Sequence, residues 1–215
     1  MKLVSVNVGL PREVGWAGKS VRTSIWKRPV QGPVRVGTLN LDGDRQSDLS
    51  VHGGVDKAVY VYPSEHYAYW RLELPGMDLP WGAFGENLTT RGVLEDEIRI
   101  GDRLRIGAAE FVVTQPRMPC FKLGIRFGNA DMVKRFLVSA RTGFYLAVLR
   151  EGNVAAGDVI EHLARDEHGV TVSDVVSLYT SNARNQEQLG RASELPALSA
   201  GWRDRFRKQL HEPDA

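Results

Sequence analysis

Along the first part of the chain apolar residues recur at every second position rather than in helical steps. Leu3, Val4, Val6 and Val8 form a short, partly alternating run ended by Gly9, and Val21, Thr23 and Ile25 alternate with Arg22, Ser24 and Trp26. A period of two marks a strand with one buried face, so both runs predict β-structure. Pro11 to Lys19, broken by Gly15 and Gly18, reads as the loop between them. Gly32-Pro33 predicts a turn, Val34 to Leu41 a strand and Asp42-Gly43-Asp44 a further turn. Val59 to Pro63 is β-branched and aromatic, again a strand. Ser64 then stands where a helix N-cap is needed, and Tyr67, Trp70, Arg71 and Leu74 recur at helical spacing until Pro75-Gly76 stops the pattern. That aromatic stripe is expected to be core.

Further on, Ile98, Ile100, Leu104, Ile106, Phe111 and Val113, punctuated by Gly101-Asp102 and Gly107, read as successive short strands with tight turns, the pattern of a β-barrel or sandwich. Asn129 or Asp131 can cap a helix with Met132, Val133, Phe136 and Leu137 on its apolar face. Phe144 to Leu149 and Val159 to Leu163 complete the strands. After Arg165 the texture changes to three short helices: Thr171 to Thr180, with Thr171 and Asp174 in capping-box positions; Gln186 to Leu195, stopped by Pro196; and Ser199 to Leu210. The expected organisation is a mainly β domain over residues 1–165 and a small C-terminal three-helix domain over 166–215.

Composition narrows the class. With 215 residues, 42% hydrophobic and 25% charged, the chain has the make-up of an ordinary globular protein. A net charge of +2 is too small to imply a nucleic-acid or membrane partner. Arg203, Arg205, Arg207 and Lys208 make the last helix basic, but Asp204 interrupts them, which suits a solvated or partner-docking face better than a DNA-reading one. No stretch approaches the roughly 20 apolar residues of a membrane helix. A single cysteine excludes an internal disulfide, and a reducing, cytoplasmic setting is expected.

That cysteine lies in Gln115-Pro116-Arg117-Met118-Pro119-Cys120-Phe121-Lys122-Leu123. Two prolines should make the loop stiff and non-helical, and Arg117 and Lys122 put cations near the sulfur, which favours the thiolate, the nucleophilic and metal-binding form. A lone cysteine is also among the residues most often buried and inert. A second dense block is His52-Gly53-Gly54 with Asp56-Lys57-Ala58. Its glycines can bring backbone N–H groups and a cation against an anion such as phosphate, although a glycine turn with solvated charges has the same sequence. A third, Phe84-Gly85-Glu86-Asn87-Leu88, either orients a ligand or bonds to its own turn.

Together with Tyr62-Pro63-Ser64-Glu65-His66-Tyr67, these blocks resemble the YiiM-type MOSC proteins, in order and approximate spacing, over nearly the whole chain. The resemblance implies a MOSC-type β-barrel followed by a three-helix domain and a bound molybdenum cofactor (molybdopterin), with Cys120 as metal ligand. Gly53, Gly54, Lys57 and Arg117 are then expected at the cofactor's phosphate. His52, Asn87 and Gln115 are expected to hydrogen-bond to the pterin or the metal's oxygens, and Glu86 to handle protons, so that Cys120, Glu86 and His52 are the catalytic candidates. The implied activity is reduction of N-hydroxylated compounds, such as hydroxylaminopurines or amidoximes, with electrons from a separate reductase. No nucleic acid or membrane is implied, and a homodimer is. Two alternatives stay open from the residues themselves: a cysteine-persulfide sulfur carrier and a non-enzymatic binding module.

Overall fold

The computed structural model describes residues 1–47, 53–181 and 185–211. The first strands are β1 (Lys2–Val8), β2 (Arg12–Trp16), β3 (Lys19–Thr23), β4 (Arg28–Pro29) and β5 (Val34–Val36). Then follow β6 (Val59–Pro63), α1 (His66–Glu73), β7 (Leu88–Arg91), β8 (Arg103–Ile106) and β9 (Ala109–Pro116). Beyond β9 come α2 (Phe121–Phe127), α3 (Met132–Val138), β10 (Phe144–Arg150), β11 (Gly152–Val154) and β12 (Ile160–Ala164), and the chain ends in α4 (Val172–Thr180), α5 (Gln186–Glu194) and α6 (Ala200–His211).

Eight strands form one sheet in the order β12-β8-β9-β10-β6-β7-β1-β4, antiparallel except for β6 and β7, which are parallel and joined through α1. The expected barrel is not closed by strand pairing: among the described residues the end strands β12 and β4 do not pair with each other. The outer edge of β1 is shared instead. Its end takes β4, only two residues long and terminated by Pro29, which has no N–H to extend a ladder. Its beginning meets the chain entering β12, where the Leu3 N–H donates to Asp158 O at 2.9 Å and the Gly157 N–H to Leu3 O at 2.8 Å.

Strand β6 shows why the sheet is buried on both sides. Side chains alternate across a strand, so Val59 and Val61 enter one apolar cluster while Tyr60 and Tyr62 enter another. The second cluster is aromatic and is covered by α1, α2 and α3: Tyr67 and Trp70 of α1, Phe127 of α2 and Phe136 of α3 surround Tyr62 and Phe84, with the Trp70 and Phe136 rings stacked at 5.7 Å. The α1 stripe is core, as its spacing predicts. The first cluster runs without a break from the sheet into Val172, Val175, Leu189, Trp202 and Phe206 of the C-terminal helices.

Several local expectations change. Pro11 to Lys19 is not a loop: β2 and β3 form a hairpin, turning at Ala17 (φ 48°) and Gly18 (φ 75°), the paired positive φ values of a turn whose twist matches that of the strands. Ser64 does not cap α1; Glu65 occupies that position without a side-chain bond to the helix's N–H groups. Strand character in the run from Val34 ends at Val36, and Ile98 and Ile100 lie outside any strand. The C-terminal reading holds closely. The Thr171 Oγ1 accepts from the Asp174 N–H at 3.0 Å while Asp174 Oδ2 accepts from the Thr171 N–H at 2.9 Å, a complete capping box. Thr171→Ala is expected to cost about 1 kcal/mol, a fall of roughly 2–4 °C in a thermal melt. No helix among the described residues is long and apolar enough to cross a membrane.

Candidate functional site

Strand β9 ends at Pro116, opposite Phe144 of β10, and the chain then crosses from Arg117 to Cys120 before entering α2. The expected stiff, non-helical stretch therefore stops at Cys120, whose backbone is extended (φ −123°) at the N-cap, and Phe121, Lys122 and Leu123 are helical. The start of this link is fixed by Gly143. Its carbonyl accepts the Arg117 N–H at 3.2 Å, and its own N–H donates to Glu95 Oε1 at 2.6 Å. At φ 64°, a Cβ there would lie 2.3 Å from the Val61 carbonyl, so glycine is what lets β10 begin flush against β6. Arg117, 6% exposed, lays its guanidinium over the rings of Phe136 (5.0 Å) and Tyr60 (5.4 Å).

Helix α2 sorts its residues by face. Leu123 and Phe127, one turn apart, join the aromatic cluster, while Lys122 is turned towards a cavity and its Nζ donates to Ser47 Oγ at 3.3 Å. That cavity, of about 100 Å³, is lined by the Cys120 thiol and four cations: Lys27, Lys57, Arg117 and Lys122. Among the described residues Asp44 is the only carboxylate on its wall. Asp44 is already committed: it pairs with Lys27 Nζ at 2.5 Å and accepts the Gly9 N–H at 2.8 Å and the Asn87 amide at 2.9 Å. Burial pulls the Lys27 ammonium below its usual range, with Asp44 opposing. Two groups on the wall, Arg117 Nη1 and Ser24 Oγ, are buried without a hydrogen-bond partner. Buried polar groups are normally paired, so these two, among four cations, mark a place for an anion.

A second, larger groove of about 420 Å³ adjoins the first. The two share Lys57, Met118, Cys120 and Tyr145. Its other wall comes from the C-terminal helices, through Tyr179 of α4 and Gly201, Trp202 and Arg205 of α6. The thiol of Cys120, half-buried, thus borders both. Burial pushes the Tyr145 phenol up against the opposing pull of Arg117, so it keeps its proton at neutral pH.

Of the residues expected from sequence, Cys120, Lys57, Asn87 and Arg117 meet at the first cavity, and Gln115 lines the second. The Asn87 side chain is used for bracing: its Oδ1 accepts the Tyr60 N–H at 3.1 Å and its amide holds Asp44. Gly53 and Gly54 are on neither wall. The Gly54 carbonyl accepts the Lys57 N–H at 3.0 Å, within the turn that delivers that lysine. His52 lies outside the described residues.

Glu86 is fully buried and reaches neither cavity. Its carboxylate takes the Tyr67 hydroxyl, the Gly82 N–H (2.8 Å), the Phe84 N–H (3.1 Å) and the Thr89 hydroxyl (2.9 Å). Burial pushes its pKa up while these donors hold it down. The geometry makes it the knot of the Gly82–Phe84 loop. Sequence reasoning missed Lys27, Ser24 and Asp44, which stand in irregular segments without a motif. Lys122 carried a signal, as a cation two residues beyond the thiol.

The family model of the MOSC domain matches residues 48–161, and that of the YiiM-like 3-alpha helix domain matches residues 170–212. The chain is 42% identical to YflK of Bacillus subtilis over 207 residues, covering 96% of this chain and 93% of that protein. The crystal structure of YiiM from Geobacillus stearothermophilus is similar throughout, with a TM-score of 0.82 at 35% identity, covering 97% of this chain and 98% of that one. A protein of Gibberella moniliformis named a reductase is 34% identical over 197 residues, which are 90% of this chain but 35% of that protein.

Proposed function

The chain belongs to the MOSC family and carries the YiiM-like three-helix domain, and on that footing we propose that it is a molybdenum-cofactor-dependent reductase of N-hydroxylated compounds. The observation that carries this reading is the Cys120 thiol opening onto a cavity with four cations and two unpaired buried donors. When bound, the cofactor supplies two-electron chemistry that turns N–OH into N–H and water, with two protons taken up. Among the described residues no group of three or more His, Cys, Asp or Glu is placed to hold a metal. A metal here would come with its own ligands, to which a soft thiolate from Cys120 is a suitable addition. Arg117, Lys27, Lys122 and the Ser24 hydroxyl are the groups for the cofactor's phosphate.

Proton handling passes from Glu86, whose oxygens are all engaged, to Tyr145, whose protonated phenol lies on both walls. One cysteine cannot ligate an iron–sulfur cluster, so the electrons come from a separate reductase. The Gibberella relative accords with this, since about two thirds of that reductase lies outside the matched part. Protein made in a host competent for cofactor synthesis is expected to contain near-stoichiometric molybdenum by elemental analysis and to reduce hydroxylaminopurine when given a chemical reductant. Active protein free of molybdenum, with a sulfur adduct on Cys120 in its mass spectrum, would replace this reading by the persulfide carrier.

A further inference from the structure

The arginines of this chain divide by whether they hold a carboxylate. Arg35, Arg105 and Arg135 each pair with a glutamate at 2.5–2.8 Å, whereas Arg12, Arg28, Arg71 and Arg126 form no ion pair among the described residues. These four gather at one place, on aromatic rings. The Arg12 guanidinium lies 3.7 Å from the Trp26 ring centre, that of Arg71 lies 5.8 Å from Tyr67 and 5.9 Å from Trp81, and that of Arg126 lies 5.5 Å from Phe127. Burial, and then the charge of Arg28, lowers the Arg12 guanidinium from its ordinary pKa; burial also lowers Arg126, and Arg12 adds to it against opposite pulls from Tyr67, Glu86 and Asp78. Asp78 makes no ion pair with Arg126, whose Nε is buried without a hydrogen-bond partner. The platform beneath is fixed by close backbone approaches. A Cβ on Gly9 would lie 2.4 Å from the Trp26 carbonyl, and one on Gly82 3.0 Å from that of Lys27. Arginines seated on rings keep their N–H edges for carboxylates, and arginine and tryptophan are the residues that dominate protein interfaces.

We propose that this arginine face docks an acidic flavoprotein, the donor of the electrons, a role that rests on the reductase reading. Its place in the fold suits that role. Ser24, Ile25 and Lys27, the chain neighbours of Trp26, line the smaller cavity, and Arg126 stands six residues along α2 from Cys120, about 9 Å of helix. None of the four arginines lines the larger groove, so a docked partner leaves that groove open to substrate. Charge sets the partner's sign: like charges held together without counter-ions are relieved by a carboxylate-rich surface. Stoichiometry sets its redox group, because a reduced flavin gives up two electrons and two protons on oxidation, and conversion of N–OH to N–H and water takes up two of each. The basic last helix is the poorer dock. Its Arg207 already lies 3.6 Å from Glu194 and 3.4 Å from Asp204.

Flavodoxin, an acidic flavoprotein, serves as the probe, with its binding to the full-length protein measured by surface plasmon resonance and its oxidation followed during turnover of hydroxylaminopurine. Binding is expected to weaken about tenfold between roughly 0.02 and 0.3 M salt. The pair Arg12→Glu and Arg28→Glu should weaken it at least as much at low salt, and so should Arg71→Glu, an exposed change that spares the Trp26 platform. Flavodoxin-driven turnover should fall in parallel, while turnover driven by reduced methyl viologen stays within about twofold of the wild type. Undetectable binding, or binding indifferent to these charge reversals, would overturn the proposal. Loss caused instead by Lys208→Glu would move the dock to α6 and overturn it too, as would a single-stranded oligonucleotide that binds the same arginines more tightly than flavodoxin. Wild type that binds flavodoxin as expected but lacks molybdenum and viologen-driven turnover would sink the reductase reading while leaving the docking face in place.

Discussion

Cys120→Ser is expected to bring molybdenum content to background and to abolish reduction of hydroxylaminopurine, while the melting temperature stays within about 2 °C of the wild type. The two outcomes come from different properties of one atom. Cys120 is half-buried and caps α2 without a side-chain bond, and serine is among the best N-cap residues, so the helix loses nothing and gains a possible partner for its first N–H groups. A serine hydroxyl keeps its proton at neutral pH and is a hard donor, whereas the thiolate is a soft one. Elemental analysis beside a thermal melt separates the effects. Retention of metal with full activity would show that the thiol is not a ligand.

The largest effect on stability is expected at Glu86. Glu86→Ala removes the acceptor for two hydroxyls and two backbone N–H groups in a dry site, at a cost of about 3–5 kcal/mol, a fall in melting temperature on the order of 10 °C. Burial, the dominant influence, raises the folded-state pKa of this carboxyl above the ordinary 4.5. The folded protein therefore holds a proton where the unfolded chain has released it. This group's contribution is fully present below the unfolded value and is lost as pH rises through the raised one. Glu86→Gln, which does not titrate, should lack that decline when melts are compared from about pH 4 upwards. Per folded molecule, the glutamine variant should keep its reductase activity. A variant that melts normally but is inactive, with an altered pH–rate profile, would return Glu86 to the proton-handling role read from sequence.

What the sequence disclosed and what it hid divide along range. The capping box of Thr171 and Asp174 spans four residues and was legible, as was β10, whose apolar run follows directly on Thr142-Gly143. The hairpin of β2 and β3 was hidden because its turn uses Ala17 with positive φ, a position where sequence rules look for glycine or asparagine. Barrel closure depends on what pairs with the two ends of the sheet, a matter of strand length and of Pro29 rather than of alternation. Within the site, the thiol, Lys57, Arg117 and Asn87 carried motifs, whereas Lys27 enters through a partner 17 residues away and Asp44 through one 43 residues away. Glu86 carried the right motif with a different use, because sequence shows a carboxylate in a glycine-rich loop but not the four donors folded around it.

The unbroken apolar cluster that joins the sheet to α4, α5 and α6 governs how the groove can choose its ligands. Swinging the helical wall outwards would bring Trp202 and Phe206 into water, at roughly 1.5–3 kcal/mol for each large side chain, so the aperture beside Cys120 has no cheap open state. Such a site works as a fixed gauge: a molecule that is too thick or too wide is refused by shape at the rim, and one that fits meets walls already at their working separation.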